Sequence, residues 1–185
     1  MILYKKSRLL PIFVLMVVIS LPALTQRSLD VVPSVNLERY CGVWYEIARL
    51  PNSFQEKCAG SVTATYTLLD NGQIKVVNLC QKENGEIVEA EGRAKVASKD
   101  EPNTKLKVRF APAILSFLPF VWGNYWILEL DSAYTYAVIG EPKREYLWIL
   151  SRTPRIDEEI FQNLLNKVKE KGYDVSEIIR TKQTE

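Results

Sequence analysis

The side chains that usually carry chemistry are few in this chain and poorly spaced for it. Its 185 residues contain no histidine, which removes Ser-His and Cys-His nucleophile pairs and histidine-ligated metal sites together. The cysteines are Cys41, Cys58 and Cys80. They form no C-x-x-C pair, and three thiolates fall short of the four ligands of a structural zinc site. No glycine-rich phosphate loop is present. Asp157-Glu158-Glu159 clusters carboxylates, but directly before an apolar stripe of helical spacing, where negative charge suits the positive end of a helix. These three read as a helix start rather than as an acid–base pair, and no metal or cofactor is expected.

One aromatic and one cation have a geometric reason to meet, and the elements between them decide whether they do. Trp44 stands in the run 42–49, and Arg152 follows the last of seven further strand-like runs: 61–69, 73–80, 86–96, 105–110, 124–130, 135–140 and 146–151. Asp70-Asn71-Gly72 between two of them is a hairpin signal, since Asn and Gly both tolerate positive φ. No helical pattern interrupts the eight runs, and short strands with polar turns at regular spacing indicate an antiparallel sandwich or up-and-down barrel. Thr153-Pro154 ends them. Ile160, Phe161, Leu164, Leu165 and Val168 then form the stripe of one helix, stopped by Gly172, which is expected to pack outside the sheet.

Counting strand directions assigns the connections to two ends. With the first strand running upward, the first strand's start and the last strand's end both lie at the bottom. Arg152 is thereby brought to Trp44, where a guanidinium can stack on the indole and donate to backbone carbonyls. The same count puts Cys58 and Cys80 together at the top, at the far ends of the hairpin from its Asn-Gly turn. A disulfide across that mouth is favoured in an exported protein; the alternative is two free buried thiols. Cys41 is left as a packed thiol. The connection 110–122, Phe-Ala-Pro-Ala-Ile-Leu-Ser-Phe-Leu-Pro-Phe-Val-Trp, carries no charge and also falls at the top. Between Pro112 and Trp122 it suits contact with a membrane or an apolar partner, or it folds inward as a lid.

Export is expected from the N-terminus. Lys5, Lys6 and Arg8 precede an uncharged run, Leu9 to Leu24, with Pro11 and Pro22 in it; a basic n-region before an apolar h-region is the pattern of a secretion signal over residues 1–25. The run is shorter than the roughly 20 residues that span a bilayer comfortably, and an uncleaved anchor is the other reading. The full chain has formal charge +2, and without those three cations the remaining 21 basic and 22 acidic residues leave −1. Nothing in that balance points to nucleic acid.

With these residues in place the chain resembles the lipocalins, in particular the bacterial outer-membrane lipocalins of the Blc type, relatives of apolipoprotein D. The family's G-x-W motif corresponds to Gly42-Val43-Trp44 within Arg39-Tyr40-Cys41-Gly42-Val43-Trp44-Tyr45-Glu46-Ile47-Ala48-Arg49-Leu50-Pro51. The late arginine motif corresponds to Tyr146-Leu147-Trp148-Ile149-Leu150-Ser151-Arg152-Thr153-Pro154. Residues 62–68 and 123–128 are similar to the same branch, and the likeness covers about residues 33–182. Two features depart from it: the middle T-D-Y motif is only echoed by Asp131 and Tyr134-Thr135-Tyr136, and no lipobox cysteine stands at 21–25.

The resemblance implies an all-β, eight-stranded antiparallel up-and-down barrel with the helix outside, holding one apolar ligand such as a fatty acid or lysophospholipid. Alternation of side chains between lumen and exterior, phased by the family alignment, turns Glu46, Ala48, Ala64, Tyr66, Val76 and Asn78 inward. Leu106, Val108, Phe110, Tyr125, Ile127, Tyr146, Trp148 and Leu150 join them. Gly42, Trp44 and Arg152 are structural. The expected function is therefore a lipid carrier, exported to the periplasm, associated with the outer membrane or secreted. A carrier of a tetrapyrrole or carotenoid pigment is the alternative, which the aromatic lining permits. An enzyme is not expected: it would need Cys41, Cys58 or Cys80 as nucleophile, with Glu46 the one acid placed in the lumen.

Overall fold

The structure, a computed structural model, describes residues 28–184; the expected signal, residues 1–25, lies outside the described residues. One antiparallel sheet closes on itself. Its strands are β1 (Gly42–Arg49), β2 (Gly60–Leu68), β3 (Ile74–Gln81), β4 (Ile87–Val96), β5 (Lys105–Arg109), β6 (Gly123–Leu130), β7 (Tyr136–Gly140) and β8 (Leu147–Ser151). Each pairs with the next, and β1 closes the barrel by pairing with both β8 and β2. Closure gives each of the eight strands a neighbour on both sides, although β4 pairs with β5 only over its second half, Arg93 to Val96. The eight-stranded up-and-down barrel expected from the sequence is therefore present, with strand ends shifted by a residue or so.

The β2–β3 connection differs in detail from the expected Asn-Gly turn. Gly72 has positive φ (76°) whereas Asn71 does not. The Leu69 N–H donates to Gln73 O and the Gly72 N–H to Leu69 O, each at 2.8 Å. This is a type I turn finished by one left-handed glycine, the three-residue solution to a hairpin.

Two short elements flank the barrel where sequence periodicity had nothing to show. A single helical turn, α1 (Leu37–Tyr40), is capped by the Asn36 side chain. A two-residue strand, β9 (Ile179–Arg180), pairs with Ala48 and Arg49 on the edge of β1 that its first half gives to β2. The tail beyond β9 is threaded between β1 and β2: the Thr181 N–H donates to Ile47 O, the Ser61 N–H to Lys182 O, and Gln183 Nε2 to the carbonyls of Glu46 and Val62. β1 and β2 splay at their upper ends, and the tail fills the gap.

Helix α2 (Glu158–Glu170) lies outside, as its stripe implies. The Asp157 carboxylate accepts from the N–H groups of Glu159 and Ile160, and Glu158 and Glu159 occupy the first turn. The three carboxylates are thus a helix start. Phe161, Leu164 and Val168 pack with Ile47, Ala48, Leu50, Leu128, Val138, Leu147 and Ile149 in one apolar cluster between helix and sheet. The second cluster fills the lower barrel: Tyr40, Trp44, Tyr66, Ile74, Val76, Ala94, Leu106, Ile127, Ala137, Ile139 and Leu150.

Cys58 and Cys80 are joined by a disulfide, with Cα atoms 5.6 Å apart, and Cys41 is a free thiol. The bridge ties the start of β2 to the end of β3. Closing its span of 22 residues contributes about 3 kcal/mol in the chain-entropy model.

Candidate ligand-binding barrel

The bottom of the barrel is sealed by residues that face one another for structural reasons. Trp44 is fully buried, and its Nε1 donates to Tyr40 O at 2.8 Å. The Arg152 guanidinium lies 3.9 Å from the indole centroid. It donates to the carbonyls of Arg39, Tyr40, Cys41 and Val43 at 2.8–3.0 Å and to that of Tyr134 at 3.2 Å. One cation thus satisfies the carbonyls that α1 leaves without partners at its C-terminus. Gly42 permits this: its φ is 98°, and a Cβ there would sit 3.2 Å from Arg152 Nη1. Asp131 and Tyr134, the echo of the middle motif, belong to the same floor. Asp131 accepts from the N–H groups of Ala133, Thr135 and Tyr136, while Tyr134 lies under the Arg39 guanidinium, 4.1 Å from its ring centroid.

Above the floor the lumen is filled. Tyr40, Tyr66 and Tyr125 join hydroxyls at 2.7 and 2.9 Å. Burial pushes the Tyr66 phenol up to about 12, and those of Tyr40 and Tyr125 well above their ordinary value, so all three are neutral. Beside them a cavity of about 10 Å³ is lined by Leu37, Ile74, Val76, Ala94, Leu106, Val108 and the three tyrosines. That is room for about one water. No acyl chain fits below the tyrosines as they stand.

The upper lumen is open. Inward positions change from buried to accessible on climbing the barrel: Tyr66 to Ala64 on β2, Val76 to Asn78 on β3, Gly92 to Ala90 on β4, Leu106 to Val108 on β5 and Leu150 to Trp148 on β8. Ala64, Asn78 and Ala90 lie opposite one another across three strands, and their small side chains leave the space. Phe110 leans over Gly92, where a Cβ would meet its ring at 2.7 Å. A larger depression, about 520 Å³, lies outside the barrel between α2, Glu129 and the segment 28–30. Lys167 and Lys171 there are paired to Glu129, and its walls are charged, so it has none of the character of an apolar ligand site.

Polar groups gather at one side of the upper lumen. Glu46 is 3% exposed; it accepts from Gln55 Nε2 at 2.6 Å and from the Thr181 hydroxyl at 2.5 Å. Gln55 Oε1 accepts in turn from Trp148 Nε1 at 2.8 Å. Tyr146 stacks on Trp148 and touches Phe54. Burial pushes the Glu46 carboxyl above its ordinary value, against the opposing effects of those two donors and of Arg49.

Most of the expected lining residues face the barrel interior: Glu46, Ala64, Tyr66, Val76, Asn78, Leu106, Val108, Tyr125, Ile127, Trp148 and Leu150. Phe110 and Tyr146 stand at the rim just outside the strands. Ala48 is the correction. A β-bulge between Glu46 and Ala48 inserts Ile47 as an extra residue, so that Ala48 pairs with Ile149 and joins the cluster under α2. The bulge hands the inward position to Arg49, opposite Trp148. Arg49 and Gln55 are the site residues that alternation missed; a strict two-residue period excludes Arg49, and Gln55 enters from a loop.

The connection 110–122 forms two 3₁₀ turns, Ala113–Leu115 and Pro119–Val121. It does not fold inward as a lid. Trp122 is held by Lys95, 4.4 Å from its ring centroid, with the Arg109 guanidinium close by. Ile114, Phe117 and Phe120 are 79%, 75% and 81% exposed, while Leu115 is half-buried. Among the described residues no helix is long and apolar enough to cross a membrane.

A family model described as a lipocalin-like domain matches residues 35–183. Temperature-induced lipocalin-1 of Arabidopsis thaliana is 44% identical over 161 residues, 86% of each chain. The outer membrane lipoprotein Blc of Escherichia coli (strain K12) is 39% identical over 158 residues, covering 85% of this chain and 84% of that one. Among solved structures, lobster apocrustacyanin A1 matches with a TM-score of 0.63 over 81% of each chain at 18% identity, a likeness of fold. With a barrel closed by its first strand, a buried tryptophan under an arginine at the floor and these relatives, the chain belongs to the lipocalin family.

Proposed function

We propose that the protein is a binding protein, not an enzyme, that carries one fatty acid or lysophospholipid with its acyl chain in the upper barrel and meets lipid surfaces through the rim formed by residues 110–122. The exposed rim carries this reading. Three large apolar side chains at the open end, with Phe54 62% exposed on the neighbouring loop, lose water contact only when an apolar phase or ligand covers them. A chain leaving a bilayer would pass from lipid to Phe117 and Phe120 and then to the small residues Ala64 and Ala90.

Export to the periplasm, association with the outer membrane or secretion fits the disulfide, which persists in oxidising compartments. The basic and apolar pattern before residue 25 supports it, as does the bacterial relative, which is named an outer membrane lipoprotein.

Affinity for saturated fatty acids is expected to rise with length, by about 0.8 kcal/mol per methylene before the costs of binding. It levels off once the chain reaches Tyr66 and Tyr125. Titration calorimetry across about ten to eighteen carbons reads this directly; a flat series, or a bound chromophore in the purified protein, contradicts the lipid reading.

A further inference from the structure

Arg49 is a buried cation with unused hydrogen-bonding capacity. The residue is 9% exposed. Its Nε and Nη1 are shut off from water without an acceptor, and its Nε stands 3.6 Å from Glu46 Oε1, an ion pair without a hydrogen bond. Buried guanidinium groups are ordinarily satisfied on most of their donors, because an unmet charged donor is expensive in a dry setting.

Glu46 cannot turn to meet it without loss. Its Oε1 is held by Thr181 and its Oε2 by Gln55, which Trp148 holds in turn. The carboxylate is held by the β1–β2 loop and the C-terminal tail, and β8 holds the loop's Gln55 in place. Arg49 stands opposite Trp148 in the β1–β8 register, and Trp148 packs on the cluster inside the barrel. On β3, Asn78 Oδ1 is also buried without a donor.

We propose that Arg49 is the anchor for the anionic head group of an amphipathic ligand, donating from its guanidinium to a carboxylate or phosphate oxygen at the top of the lumen while the acyl chain runs down toward the tyrosines. The proposal rests on the carrier reading and adds its polar end. A planar guanidinium suits this role because carboxylate and phosphate oxygens match its fork of parallel donors. Placement at the upper end of β1 also matches the amphiphile, with the head group toward the open end and the chain below it. The head group of that fatty acid or lysophospholipid thereby gains a partner of its own, with a carboxylate or phosphate oxygen on Arg49.

The test compares ligands with one chain and different ends on delipidated protein: oleate, oleoyl lysophosphatidate and neutral oleyl alcohol, titrated against wild type, Arg49→Gln and Arg49→Lys. Wild type is expected to bind an anionic ligand at least about tenfold more tightly than the alcohol, the effect of one hydrogen bond to a charged group. Preference for oleate over lysophosphatidate, or the reverse, identifies the head group as carboxylate or phosphate. Arg49→Gln is expected to abolish the preference, so that the variant binds the anionic ligands no more tightly than it binds the alcohol, and Arg49→Lys is expected to retain part of it. Equal binding of all three ligands by wild type needs no variant to fold and overturns the head-group assignment while leaving the carrier standing. A preference retained in folded Arg49→Gln, checked by circular dichroism, also overturns it. If wild type binds none of the three, the carrier reading itself falls.

Discussion

At the scale of single residues, what separates Glu46 from the other carboxylates is its surroundings. Glu86 and Glu91 stand in solvent beside cations that hold them below their ordinary value; Glu46 is held above it, chiefly by burial. A carboxyl raised on folding binds its proton more tightly in the folded state, so stability falls as pH rises from about the unfolded value of 4.3 through the folded one. Glu46→Gln removes this dependence. The difference in unfolding free energy between wild type and Glu46→Gln, from denaturant titrations at several pH values, is expected to shift in favour of the variant as pH rises from about 4 toward neutrality. A constant difference would show that burial does not disfavour the carboxylate. Trp44 and Arg152 were legible as a structural pair because strand counting brings distant chain positions to one end of a barrel, and Gly42 joined them through the G-x-W motif of the family resemblance. Arg49 was not legible, because its inward position depends on a bulge that leaves no mark in the order of apolar and polar residues.

At the scale of elements, the strands and α2 were readable because each repeats a local period, and the turns because of the residues that stand in them. β9 and α1 are too short to show a period, and they form because the barrel offers partners: the splayed edge of β1 for β9, and Arg152 for the carbonyls after α1. The apolar connection 110–122 was readable as unusual, but its direction was not. Sequence left lid and lipid contact equally available, and the 3₁₀ turns present Ile114, Phe117 and Phe120 outward with Leu115 turned in. Phe117→Glu combined with Phe120→Asp is therefore expected to weaken co-sedimentation with lipid vesicles by about tenfold or more, since each change removes a large apolar side chain and adds a charge. The melting temperature should change little, because neither side chain is in the core. Unchanged sedimentation would remove the membrane role of this loop and leave the lumen as the site of lipid contact.

At the scale of the molecule, the barrel is two halves with different tasks. The lower half is a packed core, stoppered by Trp44, Arg152 and three neutral tyrosines, with room for about one water. The upper half trades packing for an opening between a disulfide at one wall, a polar cluster at another and an apolar rim. This division was partly legible: alternation phased by the family resemblance turned most of the expected lining residues inward, but it could not tell a filled position such as Ile127 from an open one such as Ala64, because filling depends on what stands opposite. The central claim is that the open half holds one lipid. Native mass spectrometry of the protein purified from an export host, followed by denaturing extraction, reads this most directly. One fatty acid or lysophospholipid per chain is the expected result. A protein that emerges empty, or that carries a pigment instead, contradicts the claim.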